Sequence, residues 1–579
     1  MILQTTSGFS KGGFSEELFP LGPWCAPGDS PETSIISDFA EDYKKGNDAE
    51  NDQVIEKIEQ FLYSSLNELH HIQQPFSFWR ESLGIYLRMM VPLLLQRRDL
   101  VLHARDFHGH SRFTQVEIDL ESIIPINRQA LLGIVNSHAW NHYVFSELSA
   151  SLGLSPISPS PIQVLRGPIQ VEPRHALKHR HSLLKRTVLR MSNALATQSS
   201  TLVVRTMLPK RHETWLALRN FSLPFSWNDD EIERQPINYE LRSKLVSKAL
   251  SQDAIEKVIL QLSVQFIPRV FIEDFSAAWQ LGENRVRQFP RVVFTSNLHL
   301  ASDVFLIWLA RAHFFGTRIV IAQHGGVHSL CRHIPGDLQA ERDLADTYIT
   351  WGSPTFRSMA AIPGPTLVNV GAKKRRKSVV NNGSLLVVLD STYRYPSVPR
   401  GMNGSRFDYA SFVNQFLESI DLERVPHVVI RSYMGAEIYD DPLIPLLLKR
   451  ESFSIDSGEG PIQKLFDSSR LVVQTSLGTT FFQTFHQQIP TNILLDRELS
   501  PISNSAAEAF VDLRESGVYF DNPKELARHV NDVFHDPHQW WSSPGVQASI
   551  KRFESKMSPV FSRPSRFYNQ VLRGSTRDL

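Results

Sequence analysis

Cysteine is nearly absent from this chain of 579 residues: Cys25 and Cys331 are the only two, and they have no paired spacing. That excludes a disulfide framework, offers no zinc pattern, and fits a reducing compartment. Net charge is almost missing too. Lys and Arg number 61 against 60 Asp and Glu, a formal charge of +1, so no overall field draws the protein to nucleic acid or an acidic polymer. There is no long apolar run. The most apolar segment, LGIYLRMMVPLLL (Leu83 to Leu95), holds Arg88 and Pro92 and is too short to span a bilayer, which predicts a buried helix. The opening residues, MILQTTSGFSKGGFSEELF, have no basic head, apolar stretch and cleavage site of the signal-peptide kind. The expected location is cytoplasmic, with any membrane contact peripheral and at the inner face. A P-loop, a GxGxxG opening a βαβ unit and a GxSxG elbow are also missing, so kinase-like, dinucleotide and hydrolase chemistry lack their motifs.

A chain of this length exceeds what one hydrophobic core serves, and at least two domains follow. Up to about Leu154 the pattern is mostly helical with a few strand-like pieces; IEKIEQFLYSSLNELHHI (Ile55 to Ile72) repeats apolar residues at helical spacing. SLGLSPISPSPIQVLRGPIQVEP (Ser151 to Pro173) is dense in Pro and Ser and reads as an extended surface connection. From Ser200 the runs TLVVRTML, RVVFTS, FLIWLARAHFF, RIVIAQ and TYITWG alternate with helical patterns, and after TLVNVGAKKRRKSVVNNGS (Thr366 to Ser384) the alternation restarts with LLVVLD, HVVIRSY, RLVVQTS and TNILLD. Strand and helix at this spacing predict βαβ units and parallel sheets, hence the α/β class. The expected division is 1–371, 372–384 as a linker, and 385–579. KKRRK in the linker fits a solvated connection better than a nucleic-acid patch in so neutral a chain. Arg174 to Arg190 is a basic helical pattern with His175 and His179 four apart; without a third ligand it reads as a solvated face, and no metal site is expected.

In open α/β sheets ligands sit beyond the carboxyl ends of the strands. RIVIAQHGGVHS ends such a strand, placing Gln323, His324, Gly325 and Gly326 at its corner. Glycine allows a positive φ or close backbone approach, and free amides opening the next helix suit a phosphate. A tight turn with a structural histidine explains the same residues equally well. In LVVQTSLGTTFFQTFHQQIPTNILLD, the residues Ser476, Gly478, Thr479 and Thr480 open a helix after a strand. That is a second phosphate-compatible cradle, although helix capping alone accounts for much of it. Two such corners in successive units point to a ligand held from both sides. Arg431, at the end of HVVIR, could reach a diphosphate bidentately, against a plain surface role. Asp390, Ser391, Arg394 and Tyr395, in the loop after LLVVL, are candidate sugar or nucleotide contacts.

The stretches LGPWC, FWRESLGIYL, IAQHGGVHS, ERDLADTYITWG and QTSLGTTFFQTFHQQIPT, in this order, resemble a bacterial family of transferases from O-antigen and surface-carbohydrate gene clusters. The QHGG and Gly-Thr-Thr corners are also similar to those of capsule Kdo transferases and CDP-glycerol glycerophosphotransferases. The resemblance implies a GT-B-like architecture: two Rossmann-like lobes facing a cleft, here with a largely helical N-terminal elaboration, the donor held by the second lobe and the acceptor facing the first. It implies a nucleotide-activated sugar donor, a surface polysaccharide or lipid-linked glycan acceptor, no cofactor and no metal. His324 would then act as general base or as donor to the leaving phosphate. Where such families carry an acidic residue after the Gly-Thr-Thr corner, this chain has Gln483. A glycerophosphate-type phosphotransferase, or a carbohydrate-assembly protein without turnover, is the alternative. Little precedes ELFPLGPWC to supply a full first strand.

Overall fold

The computed structural model describes residues 2–6, 18–25, 48–170, 199–227, 232–251, 253–332, 336–352, 361–372, 383–390, 394–395, 406–433, 443–448, 450 and 452–574. Ser391, the basic stretch with His175 and His179, and KKRRK lie outside them. Every pairing between the strands named below is parallel. The α/β class therefore holds, and the β-branched runs that periodicity picks out are strands, joined by short ones it does not pick out, such as Ala361–Gly364, Phe453–Asp456 and Tyr519–Phe520. FLIWLARAHFF is the exception, a helix (Asp303–Phe314). Ser302 caps it by accepting from the Phe305 N–H, and its apolar residues bury on nearly every side, a sign of a core helix whose length, not its period, separates it from a strand.

Three sheets carry the architecture. The first has the order Leu18–Pro20, Ile2–Gln4, Arg112–Thr114, Ser155–Ile157. The strand that little seemed to precede is thus supplied by three residues, Ile2–Gln4, paired on both sides. Around it lie the long helices Asp48–His70 and Phe76–His108. The second buries Phe78, Trp79, Leu83, Tyr86, Leu87, Met90 and Leu94, contains Pro92, and ends at Gly109, whose φ of 64° turns the chain so that the next N–H, that of His110, reaches back to the Ala104 carbonyl. The segment expected to be a buried helix is one. Among the described residues no helix is long and apolar enough to cross a membrane.

The second sheet runs Ala361–Gly364, Thr347–Trp351, Arg318–Ala322, Val292–Thr295, Thr201–Val203, a simple succession. The third runs Phe453–Asp456, Val428–Arg431, Ser384–Val388, Ser469–Gln474, Thr491–Leu494, Tyr519–Phe520. Its first three strands in chain order are added successively toward one edge and its last three toward the other, all parallel, the doubly wound order with a switch point between Ser384–Val388 and Ser469–Gln474. One apolar core joins these two sheets: Val320, Ile349 and Trp351 of the second pack with Phe481, Phe482 and Phe485 of the helix Thr480–Gln487. The last helix, Pro564–Leu572, returns to the second sheet, with Phe567, Tyr568 and Val571 in the same core as Val203 and Phe294.

Candidate functional site

Both predicted corners lie at carboxyl edges, and the fold presses them together. The Gly326 N–H points to Thr479 Oγ1 at 3.4 Å. A Cβ on Gly326 would stand 2.6 Å from the Gly478 carbonyl oxygen and 2.6 Å from Phe482 Cε2. Gly326 has a φ of −67°, so close approach, not a left-handed backbone, is what requires glycine here. The neighbouring segments tighten the junction: the Ser503 N–H donates to the Leu330 carbonyl at 2.7 Å, and Cys331 and Ile502 form an antiparallel bridge.

Gln323 braces the first corner. Its Nε2 donates to the Gly325 carbonyl at 2.7 Å and the Ser329 hydroxyl at 3.2 Å, while Oε1 accepts from the Trp351 N–H at 2.8 Å. An amide supplies two donors and an acceptor in one buried plane, so Gln323 shapes the turn and its head group is occupied. His324 follows with its side chain 22% exposed. Beneath it are groups that the strand-end argument did not reach: Glu341, fully buried, has Oε1 at 3.5 Å from His324 Nδ1 and accepts from His299 Nε2 at 2.9 Å. Tyr348 donates its hydroxyl toward Glu341 Oε2 at 3.4 Å, and His328 Nδ1 lies 3.3 Å from that hydroxyl. Burial, with His324 and His299 close by, holds the His328 imidazole well below the usual histidine range. His324, His328 and Glu341 bring their ligand atoms within 4.8 Å of one another, a group that could hold a metal ion. The signal for His299 was present: RVVFTSNLH is also a strand with polar residues at its carboxyl end. Glu341 comes from the helix Gly336–Leu344 and needs the fold to find it.

The second corner sits at the switch point. Thr475 is fixed there by the Val388 carbonyl and the Tyr409 hydroxyl, which also accepts from the Asp390 N–H. Thr480 donates to Gln474 Oε1 at 2.7 Å. Gln474 itself is fully buried, and its Nε2 has no hydrogen-bond partner among the described residues, an amide donor at the cradle that sequence reasoning passed over. Ser476 is buried; Gly478, Thr479, Thr480 and Gln483 are partly exposed.

Three expected contacts are placed differently. Arg431 is bound to Asp456 and to the Gly458 and Gly460 carbonyls, so its guanidinium holds that loop instead of standing ready for a diphosphate. Tyr395 is buried in the core of the N-terminal half, its hydroxyl 2.7 Å from both Thr6 Oγ1 and His138 Nδ1. Arg394 contacts His138 Nε2. A ring so enclosed bolts the loop after Ser384–Val388 to the first sheet and does not face a ligand.

A family model describes the chain over residues 1–570, that of the LIC12162 family transferases. The chain belongs to this family. It is therefore an enzyme of the transferase class, as the resemblance implied. A search of curated proteins finds no match. Solved structures similar to parts of it include the wall teichoic acid polymerase TagF, at 10% identity and a TM-score of 0.31 over 52% of this chain and 85% of that one. HepE of Anabaena, in complex with UDP-glucose, is similar at 11% identity and a TM-score of 0.37, over 66% of this chain and 100% of that one. MurG of Acinetobacter baumannii matches at 11% and 0.30, over 67% and 96%. Likenesses this weak carry no function across.

Proposed function

We propose that this transferase is a metal-independent glycosyltransferase of GT-B architecture, moving a sugar from a nucleotide-activated donor to a surface polysaccharide or lipid-linked glycan. One observation carries the reading: the carboxyl edges of two parallel sheets meet at Gly326 and Gly478, and the second edge is a topological switch point, where ligands of such sheets bind. The donor phosphates lie against Ser476, Gly478, Thr479 and Thr480, with the Gln474 amide as a further donor. Gln483, one turn into the helix, offers its amide to the ribose hydroxyls in place of a carboxylate. The bond from the anomeric carbon to the phosphate oxygen breaks with its electrons going to the nucleotide. The acceptor oxygen forms the new bond, and its proton passes to His324 Nε2. Helix amides oriented beforehand stabilise the charge on the leaving phosphate.

The test is a thermal-shift screen of CMP, CDP, UDP, GDP and TDP, since a ligand of the folded state raises the melting temperature by mass action. One nucleotide should stabilise the wild type and fail to stabilise the Thr479→Val/Thr480→Val variant. No shift with any of them would sink the reading. Product analysis with labelled CDP-glycerol beside CMP- and UDP-sugars separates sugar transfer from glycerophosphate transfer.

A further inference from the structure

His324 is placed to work at the acceptor only if the lone pair of its Nε2 faces outward, and a free imidazole has no strong preference for which nitrogen keeps its single proton. Something beneath must decide. The atoms below are a buried carboxylate shared between imidazoles: Glu341 Oε1 accepts from His299 Nε2 at 2.9 Å and lies 3.5 Å from His324 Nδ1. Tyr348 engages the other oxygen. The ring of His328 stands edge-on to that of His324, 89° between planes and 4.5 Å between centroids, which limits rotation of the His324 ring. The carboxylate is thus held from two sides, and a shift of about half an ångström brings His324 Nδ1 into hydrogen-bond range, the tightening expected when a substrate closes such a site.

We propose that Glu341 is a positioning residue for His324: fixed by His299 and Tyr348, it accepts the proton on Nδ1 and so leaves Nε2 unprotonated toward the acceptor. This rests on the reading of His324 as the group at the acceptor. The same three residues could instead hold a cation, but Oε1 already accepts from His299 and faces His324, so an ion would have to displace one of them. An ordering carboxylate behind a working imidazole has its largest effect on turnover, up to about four orders of magnitude where it sets the tautomer of a general base.

The experiment reads the tautomer directly, on the full chain with ¹⁵N-labelled histidine. The His324 ring signals are assigned by their loss in His324→Ala, and each nitrogen's shift reports whether it carries the proton. The wild type at neutral pH should hold its proton on Nδ1, and Glu341→Met, which removes both acceptor oxygens, should lose that preference. A proton on Nε2 in the wild type would overturn the proposal. So would an unchanged tautomer in folded Glu341→Met, or one zinc per chain in the purified protein that is lost in His328→Ala. If Glu341→Met does not fold, the wild-type spectrum and the metal content still decide. Nucleotide release left unchanged by His324→Ala, with the tautomer pattern as expected, would instead remove His324 from the proposed function and leave the positioning intact.

Discussion

Replacing Gly326 by alanine tests the contact on which the site depends. At a φ of −67° alanine is comfortable, and the loss of freedom in the unfolded chain would by itself stabilise by about 0.4–1 kcal/mol. Against that, the new methyl meets the Gly478 carbonyl oxygen and Phe482 Cε2 at 2.6 Å. Neither neighbour yields easily: one is backbone, and the other belongs to a buried ring in the shared core. Overpacking of this kind costs about 1–3 kcal/mol, so the net effect is a destabilisation of about 1–2 kcal/mol. At roughly 2–4 °C per kcal/mol for a lobe of this size, the melting temperature should fall by several degrees. Gly325→Ala is the control, because its Cβ would meet His328 Nε2 only at 3.6 Å, an ordinary contact. Thermal unfolding of both variants settles the matter. If Gly326→Ala melts at or above the wild type, the two corners are not pressed together and the site has no foundation.

Thr479→Val and Thr480→Val together keep the β-branched shape and delete two hydroxyls, so nucleotide affinity should fall in a titration while the fold survives; an unchanged dissociation constant would reduce the corner to a helix cap. His324→Ala should lower turnover by roughly two to four orders of magnitude with little change in nucleotide binding, and rescue by His324→Gln would mean phosphate stabilisation in place of proton transfer. Tyr395→Phe leaves Thr6 and His138 without its hydroxyl; a loss of about 1–3 kcal/mol in denaturant unfolding is expected, and none would show that the bolt is unimportant. His142, buried between the Thr5 hydroxyl and the Val116 N–H, is held down to about 3 by burial. The unfolded chain therefore takes up this proton first. Its contribution is intact above the ordinary histidine pKa of about 6.5 and is lost as pH falls toward 3, on the order of 3–5 kcal/mol. His142→Gln, which keeps one donor and one acceptor, should flatten that acid limb in unfolding curves taken from pH 7 to 4.

The strands and the two corners were legible because both are local. Alternating β-branched runs and helical patterns gave RIVIAQ and RLVVQTS their place, and small polar residues after each strand marked the carboxyl ends. FLIWLARAHFF shows the limit of periodicity, since a helix buried all round has no polar face to declare it. Ile2–Gln4 shows another: three residues are too few to have a period, and only pairing on both sides makes them a central strand.

The sequence by itself determined the α/β class, the parallel strands and the position of His324 and Gly478 at strand ends, because these follow from spacing along the chain. What it could not determine is which groups, far apart in the chain, meet. Arg431 read as a free cation until the fold brought Asp456 and two carbonyls to it, and Tyr395 read as a substrate contact until the first sheet closed over it. Glu341 is one charged residue in a polar helix by sequence; burial beneath His324, against His299, gives it a role. The physical reason is the same in each case: a side chain's chemistry is set by its desolvation and its neighbours, and both are decided by tertiary packing between segments separated along the chain, by 25 residues for Arg431 and Asp456, 42 for His299 and Glu341, and 389 for Thr6 and Tyr395.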